Sequence, residues 1–368
     1  MFSQENVPLA PLTTLGVGGA AARLVRVDRE AECVDAVRDA DSRGEPLLIL
    51  GGGSNVVIAD SGWPGVVVRV ATRGLKVTTN HDHVVVDVAA GEVWDEVAAR
   101  AVNEEWSGVE CLAAIPGLVG ATPIQNVGAY GQDVAQTIAS VRVFDREKNV
   151  VRELANADCA FAYRESRFKG NARFVVLSVR FEFQRSALSR PIAYAELAKT
   201  LGVSVGGVAP SRDVRNAVTQ LRRAKGMVID PADPDSVSVG SFFVNPILTR
   251  EALKSLEKRA IASNALHPGE RLPHFDVDDA HVKIAAAWLI ERSGIEKGAI
   301  FGRVGVSTKH ALAIINRGGA AADDVIGLAA AIRARVYTTF GVTIEPEPVL
   351  VGLRMPPHER VAAPLVID

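Results

Sequence analysis

The chain has 368 residues, enough for two or three packed units and too few for a large modular array. Hydrophobic residues make up 48% and charged residues 23%, which excludes the apolar-poor composition of a disordered chain. Lysine and arginine number 41 against 43 aspartate and glutamate, so no overall basic field draws in nucleic acid, and an anionic ligand must be met by local charges. Cys33, Cys111 and Cys159 are far apart and form no CxxC pair, which predicts reduced core thiols. Residues 1–12 hold Glu5, Pro8 and Pro11 and lack a basic start followed by an apolar stretch, so no secretory signal is expected. The most apolar runs, such as 84–90 and 284–290, fall short of the roughly 20 residues that span a bilayer. A cytoplasmic protein is expected, without membrane insertion.

In chain order, residues 28–43 place Ala31, Val34, Val37 and Ala40 at helical spacing before Gly44, and Pro46 then opens a strand at 47–50. Residues 56–59 and 66–70 are short β-branched runs separated by Asp60, Gly62, Pro64 and Gly65, the punctuation of strands and turns. A further strand is predicted at 84–90. It is followed by a helix whose residues Val93, Trp94, Val97, Ala98, Ala101 and Val102 share one face. Leu177, Val179, Phe181 and Phe183 alternate with polar residues, the period of a half-buried strand. Residues 185–190 lead to Pro191 as a linker, and Ser211 is expected to cap a helix that ends at Gly226. Residues 230–238 read as a loop, with 231–238 expected to be mobile. Two more helices are predicted at 284–292 and 325–340, stopped by Gly294 and Gly341. The coarse class is α+β, with no internal repeat.

The sharpest local feature is the turn Gly51, Gly52, Gly53, Ser54, Asn55 between two strands. Without Cβ atoms the backbone N–H groups can converge on an anion, as a pyrophosphate requires. It is not a P-loop, because the lysine and the following helix are missing. A glycine hairpin without ligand is the alternative reading of this block alone. Gly16, Gly18 and Ala21 match a GxGxxA spacing, but the two prolines ahead of them make a poor central strand, so a dinucleotide fingerprint is rejected. IPGLVGATPIQNVGAYG, residues 115–131, combines glycines with the amides Gln125 and Asn126 and no charge, which suits the edge of a flat heteroaromatic ring. A buried structural crossover is the alternative. YRESRFK (163–169), GSFFVNP (240–246) and IEPEP (344–348) supply Arg164, Ser241 and Glu347, none of which carries a function by itself. The seven histidines show no metal-ligand spacing and read as surface residues, so no metal site is expected.

In this order, LGGGSNV, AIPGLVGATPIQNVGAYG, YRESRFK, VGSFFVNP, AAAWLIERSG and IEPEP resemble the UDP-N-acetylenolpyruvoylglucosamine reductases over about residues 14–352. The resemblance implies a two-lobed FAD-binding region of the vanillyl-alcohol oxidase type at 1–187, with a lobe boundary near 72–76. A C-terminal α+β substrate-binding domain would follow at 188–368, its last segment, 342–368, returning to the FAD-binding region. It implies that Gly51, Gly52, Gly53, Ser54 and Asn55 face the FAD pyrophosphate, and that Ala121, Thr122, Gln125, Asn126, Gly128 and Arg222 also hold the cofactor. Tyr194 and Lys225 would meet the UDP diphosphate, and Asn245 would make a further polar contact. Tyr194 in IAYAEL marks the branch that clamps its nucleotide with a tyrosine loop.

The implied reaction uses NADPH as hydride donor and UDP-N-acetylglucosamine enolpyruvate as substrate. Hydride arriving at the vinyl carbon pushes charge into the carboxylate, which needs fixed donors such as Arg164 and a protonated Glu347. Ser241 would give the proton. The chain departs from the family in carrying Pro348 and Val349 after Glu347, where many relatives place a basic residue. No obligatory protein partner is implied. Two other readings are another flavin oxidoreductase of this fold and a non-catalytic nucleotide-binding protein.

Overall fold

A computed structural model of the protein describes residues 2–80, 83–267 and 269–357. His81 and His358, two of the histidines read as surface residues, and the end of the tail lie outside the described residues. By compactness the chain divides into two units that are not continuous in sequence. The first takes 1–7, 21–53 and 63–228; the second takes 8–20, 54–62 and the chain from Ile229 onward.

The first unit contains two sheets. In one, Ala20–Val27, Trp63–Val70 and Leu47–Leu50 run parallel, with Phe2–Pro8 at the edge beside Ala20–Val27. The helix Glu30–Ser42 joins the first and third of these strands and buries Cys33, Val34 and Val37 against Val25, Val66 and Val68. Parallel strands need such a crossover, and their continuous valine runs fit burial on both faces. The second sheet is antiparallel, in the order Val150–Ala155, Ile138–Asp145, Phe174–Arg185, His83–Ala89, Leu75–Asn80, with Trp106–Ser107 paired to the end of the long strand. Val179, Phe181 and Phe183 alternate inward from that long strand and pack with Val84, Val86 and Val88. The helix Trp94–Asn103 adds Trp94, Val97, Ala98 and Ala101 to the same core.

Compactness places the change of unit at Val228/Ile229 rather than at the 187–188 junction expected from the sequence. The reason is apolar burial: Ile192, Leu197, Ala198, Val214 and Val218, from helices Ala195–Leu201 and Ser211–Ala224 and their approach, close over Cys111 and Ala113. Ser211 does not cap its helix. Pro210 occupies the cap position and Ser211 is the first helical residue, its buried Oγ without a hydrogen-bond partner among the described residues.

The second unit holds the strands Ile247–Thr249, His281–Ile284 and His274–Asp276 in one small sheet and Ile300–Phe301, Val304–Val306 and Ile314–Asn316 in another. Helices Arg250–Ala262, Ala286–Arg292 and Ala322–Phe340 cover a core built on Phe242, Phe243, Leu289, Val325, Ile332 and Phe340. Val349–Val351 pairs in parallel with Val56–Ile58, and both strands belong to this unit. Asp60, just after the second of these, accepts from the N–H groups of Ala322 at 2.8 Å and Asp323 at 3.2 Å, and so caps the long helix from outside it. The 231–238 segment is tied down, contrary to the mobility expected for it. Asp235 and Ser236 are buried in a short turn, and Asp235 Oδ2 accepts from the hydroxyls of Ser307 at 2.8 Å and Thr308 at 2.7 Å. Gly18 belongs to the same unit's packing, since a Cβ there would lie 2.9 Å from Ile58 Cβ.

The three thiols are buried and free. Burial pushes Cys33 up to about 12 and Cys159 up to about 11, and raises Cys111 as well.

Candidate active site

Strand Leu47–Leu50 delivers the chain into the turn Gly51–Gly53, which lies against the start of the 115–131 segment in the first unit. A Cβ on Gly52 would come within 3.1 Å of Gly117 Cα, so any side chain there would fill the space where the two loops meet. Among the described residues the Gly52 N–H has no acceptor. Ser54 and Asn55 continue the turn into the second unit's segment, where Asn55 O accepts from Val349 N at 3.0 Å.

The 115–131 segment is pinned to the turn between strand His83–Ala89 and helix Trp94–Asn103. Trp94 N donates to Gly117 O at 3.0 Å, Val119 N to Glu92 O at 2.9 Å and Gly120 N to Ala90 O at 2.8 Å. Thr122 Oγ1 donates to Val119 O at 2.8 Å, while Ala121 is exposed and Gln125 half-buried. Asn126 is buried. Its Nδ2 donates to Ala162 O at 3.1 Å and its Oδ1 accepts from Ala135 N at 3.1 Å.

YRESRFK closes on this segment from the other side. Arg164 donates from Nη2 to Gly128 O at 2.6 Å and from Nη1 to Asn126 O at 3.4 Å, Ser166 Oγ donates to Ile124 O at 2.6 Å, and Lys169 Nζ donates to Arg164 O at 2.7 Å. Asn126, Tyr130 and Arg164 all have φ between 46° and 55°. Left-handed backbone at non-glycine residues costs energy and clusters where function over-determines the geometry. Two motifs more than thirty residues apart thus form one surface of carbonyls, an amide and a guanidinium.

Beside it, Arg222 Nε donates to Ala114 O at 3.3 Å and Nη2 to Met227 O at 3.1 Å. Burial lowers the Arg222 pKa from its ordinary value, and among the described residues it makes no ion pair. A partly desolvated cation whose hydrogen bonds, among the described residues, go to carbonyls favours an anionic ligand. Tyr194 meets Tyr130 edge to face at 5.4 Å between centroids, and Lys225 Nζ stands 5.8 Å from the Tyr130 ring. Burial pushes the Tyr130 hydroxyl up to about 12, so it stays protonated.

In the second unit Glu347 N donates to Phe242 O at 2.8 Å and Phe243 bridges Pro346, which sets the chain at Ser241 beside the chain at Glu347. Phe242 N is in turn bound to Leu312 O at 2.7 Å, and the buried phenylalanines anchor both segments. Asn245 Oδ1 accepts from Ala286 N at 2.9 Å and caps the helix Ala286–Arg292.

Several residues of this region carry no motif. Asp95 accepts from Arg215 at 2.8 and 3.1 Å and from Ala114 N at 2.6 Å. Burial raises the Asp133 carboxyl above its ordinary value, against opposing hydrogen bonds from Gln136 and Ala135 N–H and Asn126 and the charge of Arg164. Asp95 looks like an ordinary first-turn acid and Asp133 like a turn acid, so only the fold could bring them forward. Tyr130, inside the motif itself, was the one with a signal in the sequence.

The groups present fit FAD: a bare glycine turn for the pyrophosphate, an uncharged amide-bearing segment for a flat ring, and Arg222 as a half-buried cation. Among the described residues no group of three or more His, Cys, Asp or Glu could hold a metal.

Comparison with known proteins agrees with this geometry. Residues 21–153 match the FAD binding domain family, and 231–351 match the family described as UDP-N-acetylenolpyruvoylglucosamine reductase, C-terminal domain. The UDP-N-acetylenolpyruvoylglucosamine reductase of Thermobifida fusca is 54% identical over 352 residues, 95% of this chain and 98% of that protein. That of Streptomyces coelicolor is 48% identical over 95% of this chain and 91% of its own. The crystal structure of the enzyme of this name from Thermus caldophilus shares the fold with a TM-score of 0.63 at 24% identity, over 95% of this chain and 100% of that one. The α+β class with an FAD-binding region and a separate C-terminal domain stands as expected from the sequence. With identity above one half along nearly all of both chains, this protein belongs to the UDP-N-acetylenolpyruvoylglucosamine reductase family.

Proposed function

We propose that the protein reduces the enolpyruvyl double bond of UDP-N-acetylglucosamine enolpyruvate with NADPH, giving UDP-N-acetylmuramate for peptidoglycan synthesis. The observation that carries this reading is the 54% identity over 95% of the chain to a reductase of that name. FAD, when bound, supplies the hydride carrier between the two substrates. The chain supplies everything else.

The N–H groups of Gly51–Asn55 bind the pyrophosphate, and Ala121, Thr122, Gln125, Asn126 and Gly128 line the ring system, with Arg222 beside them. Arg164 is oriented by the Asn126 and Gly128 carbonyls. Its fixed charge stabilises the substrate carboxylate as negative charge develops there, and a protonated Glu347 shares that task. Ser241 gives the proton to the carbon next to the carboxylate. Tyr194 and Lys225 hold the diphosphate. Asn245, whose Oδ1 is committed to Ala286 N, offers its Nδ2 to the substrate.

The ligands on this reading are small molecules, with neither nucleic acid nor an obligatory protein partner required. Among the described residues no helix is long and apolar enough to cross a membrane, and a cytoplasmic location is part of this proposal. The test is a visible spectrum of the purified protein under anaerobic conditions. Flavin bands that bleach with NADPH and return only with the enolpyruvyl substrate support both half-reactions. Recovery with no substrate, or none with it, rejects this acceptor.

A further inference from the structure

Lys225 is already engaged by an anion of the protein's own. Its Nζ lies 2.7 Å from Glu196 Oε2, with 31% and 43% of the two side chains exposed. Glu196 sits in the first turn of the helix Ala195–Leu201, which begins directly after Tyr194, and Tyr194 packs on Tyr130, over whose ring Lys225 stands. Lys225 itself follows the last turn of helix Ser211–Ala224, three residues after Arg222. Two cations, two tyrosine rings and one carboxylate thus share a small polar cluster, and the carboxylate carries the same sign of charge as a diphosphate.

We propose that Glu196 is a specificity-determining residue that competes with the nucleotide diphosphate for Lys225. It lowers the affinity for UDP-bearing ligands and speeds their release. The inference rests on the reading of Lys225 as a diphosphate contact and deepens it. An exposed ion pair is weak, so a dianion can displace it. The displaced carboxylate then repels the phosphates, and that repulsion is lost when it becomes an amide. Because Glu196 lies two residues from Tyr194, its release from Lys225 also frees the start of the helix that directly follows the tyrosine.

The experiment measures UDP and uridine binding to the FAD-loaded enzyme by calorimetry for the parent, Glu196→Gln and Lys225→Met. The proposal expects Glu196→Gln to bind UDP about threefold to tenfold more tightly, with uridine, which lacks the diphosphate, unchanged. The KM for the enolpyruvyl substrate should fall in parallel. A damaged fold cannot mimic a gain of affinity confined to the phosphorylated ligand. Unchanged or weaker UDP binding in Glu196→Gln, while Lys225→Met weakens it, overturns the competing role of Glu196 and leaves the Lys225 contact standing. Unchanged UDP binding in Lys225→Met overturns both.

Discussion

Arg164 Nη2 donates to the carbonyl of Gly128 at 2.6 Å, and Nη1 of the same guanidinium reaches Asn126 O at 3.4 Å. One planar fork therefore spans two carbonyls of the segment assigned to the cofactor. Lysine keeps the charge but cannot bridge both carbonyls. Arg164→Lys should lower kcat by about 10²-fold, the scale of one lost transition-state donor, and weaken FAD retention. Steady-state rates and flavin content after dialysis check this.

Ser241→Ala separates the two half-reactions. Bleaching of the flavin by NADPH should stay close to the parent rate. Reoxidation by the enolpyruvyl substrate should slow by roughly 10²- to 10⁴-fold, as expected for a lost general acid. Stopped-flow absorbance resolves the two, and equal slowing of both would refute the proton-donor role.

Gly52 and Gly120 should respond differently to alanine. At Gly52 the new Cβ meets Gly117 Cα at 3.1 Å, a tight contact between two loops. Gly52→Ala should fold with little loss of thermal stability and lose about tenfold in FAD affinity, equivalent to about 1.4 kcal/mol. At Gly120 the Cβ would lie 2.6 Å from Ala90 Cβ, inside the packing of the sheet. That overpacking should cost about 1–3 kcal/mol of stability. Urea titration with and without added FAD distinguishes the two cases.

Asp145 governs an acid transition. Its hydrogen bonds with Arg173, at 2.8 and 2.7 Å, together with those from Lys148 N–H and Arg152, hold its carboxyl at about 2, below the ordinary carboxylate range. A carboxyl depressed in the folded state contributes stability above its unfolded pKa, near 4. That stability is lost as pH falls from there through about 2. Asp145→Asn should lower Tm at neutral pH and flatten the fall of Tm between pH 4 and about 2. Calorimetric scans across that range read both effects.

Most elements could be read from the sequence because their signals are local. Val34 and Val37 repeat at helical spacing, Phe181 and Phe183 alternate, and Gly341, with φ of 69°, stops the long helix where a left-handed residue is needed. What could not be read depends on partners distant in sequence. Ser211 has the residue type of a cap, yet Pro210, bridged to Leu188, takes that position, and Ser211 N donates to Ala187 O. The 231–238 loop looks polar and free, and is fixed by distant residues: Ser307 and Thr308 meet Asp235, Lys309 pairs with Asp233, and Asn316 N donates to Val237 O. For the candidate site, the ordered motifs proposed which residues to consider, whereas the Arg164–Gly128 bond and the Glu196–Lys225 pair needed coordinates.

The interleaving of the two units constrains how the chain can be cut. The core of the second unit includes Leu15, Val17 and Val57, and its strand Val349–Val351 takes its partner from Val56–Ile58. A recombinant fragment starting at Ile229 would lack that strand and those side chains, and would expose the apolar surface they cover. Adding back peptides covering 8–20 and 54–62, or joining them by short linkers ahead of Ile229, should restore folding where the fragment alone aggregates.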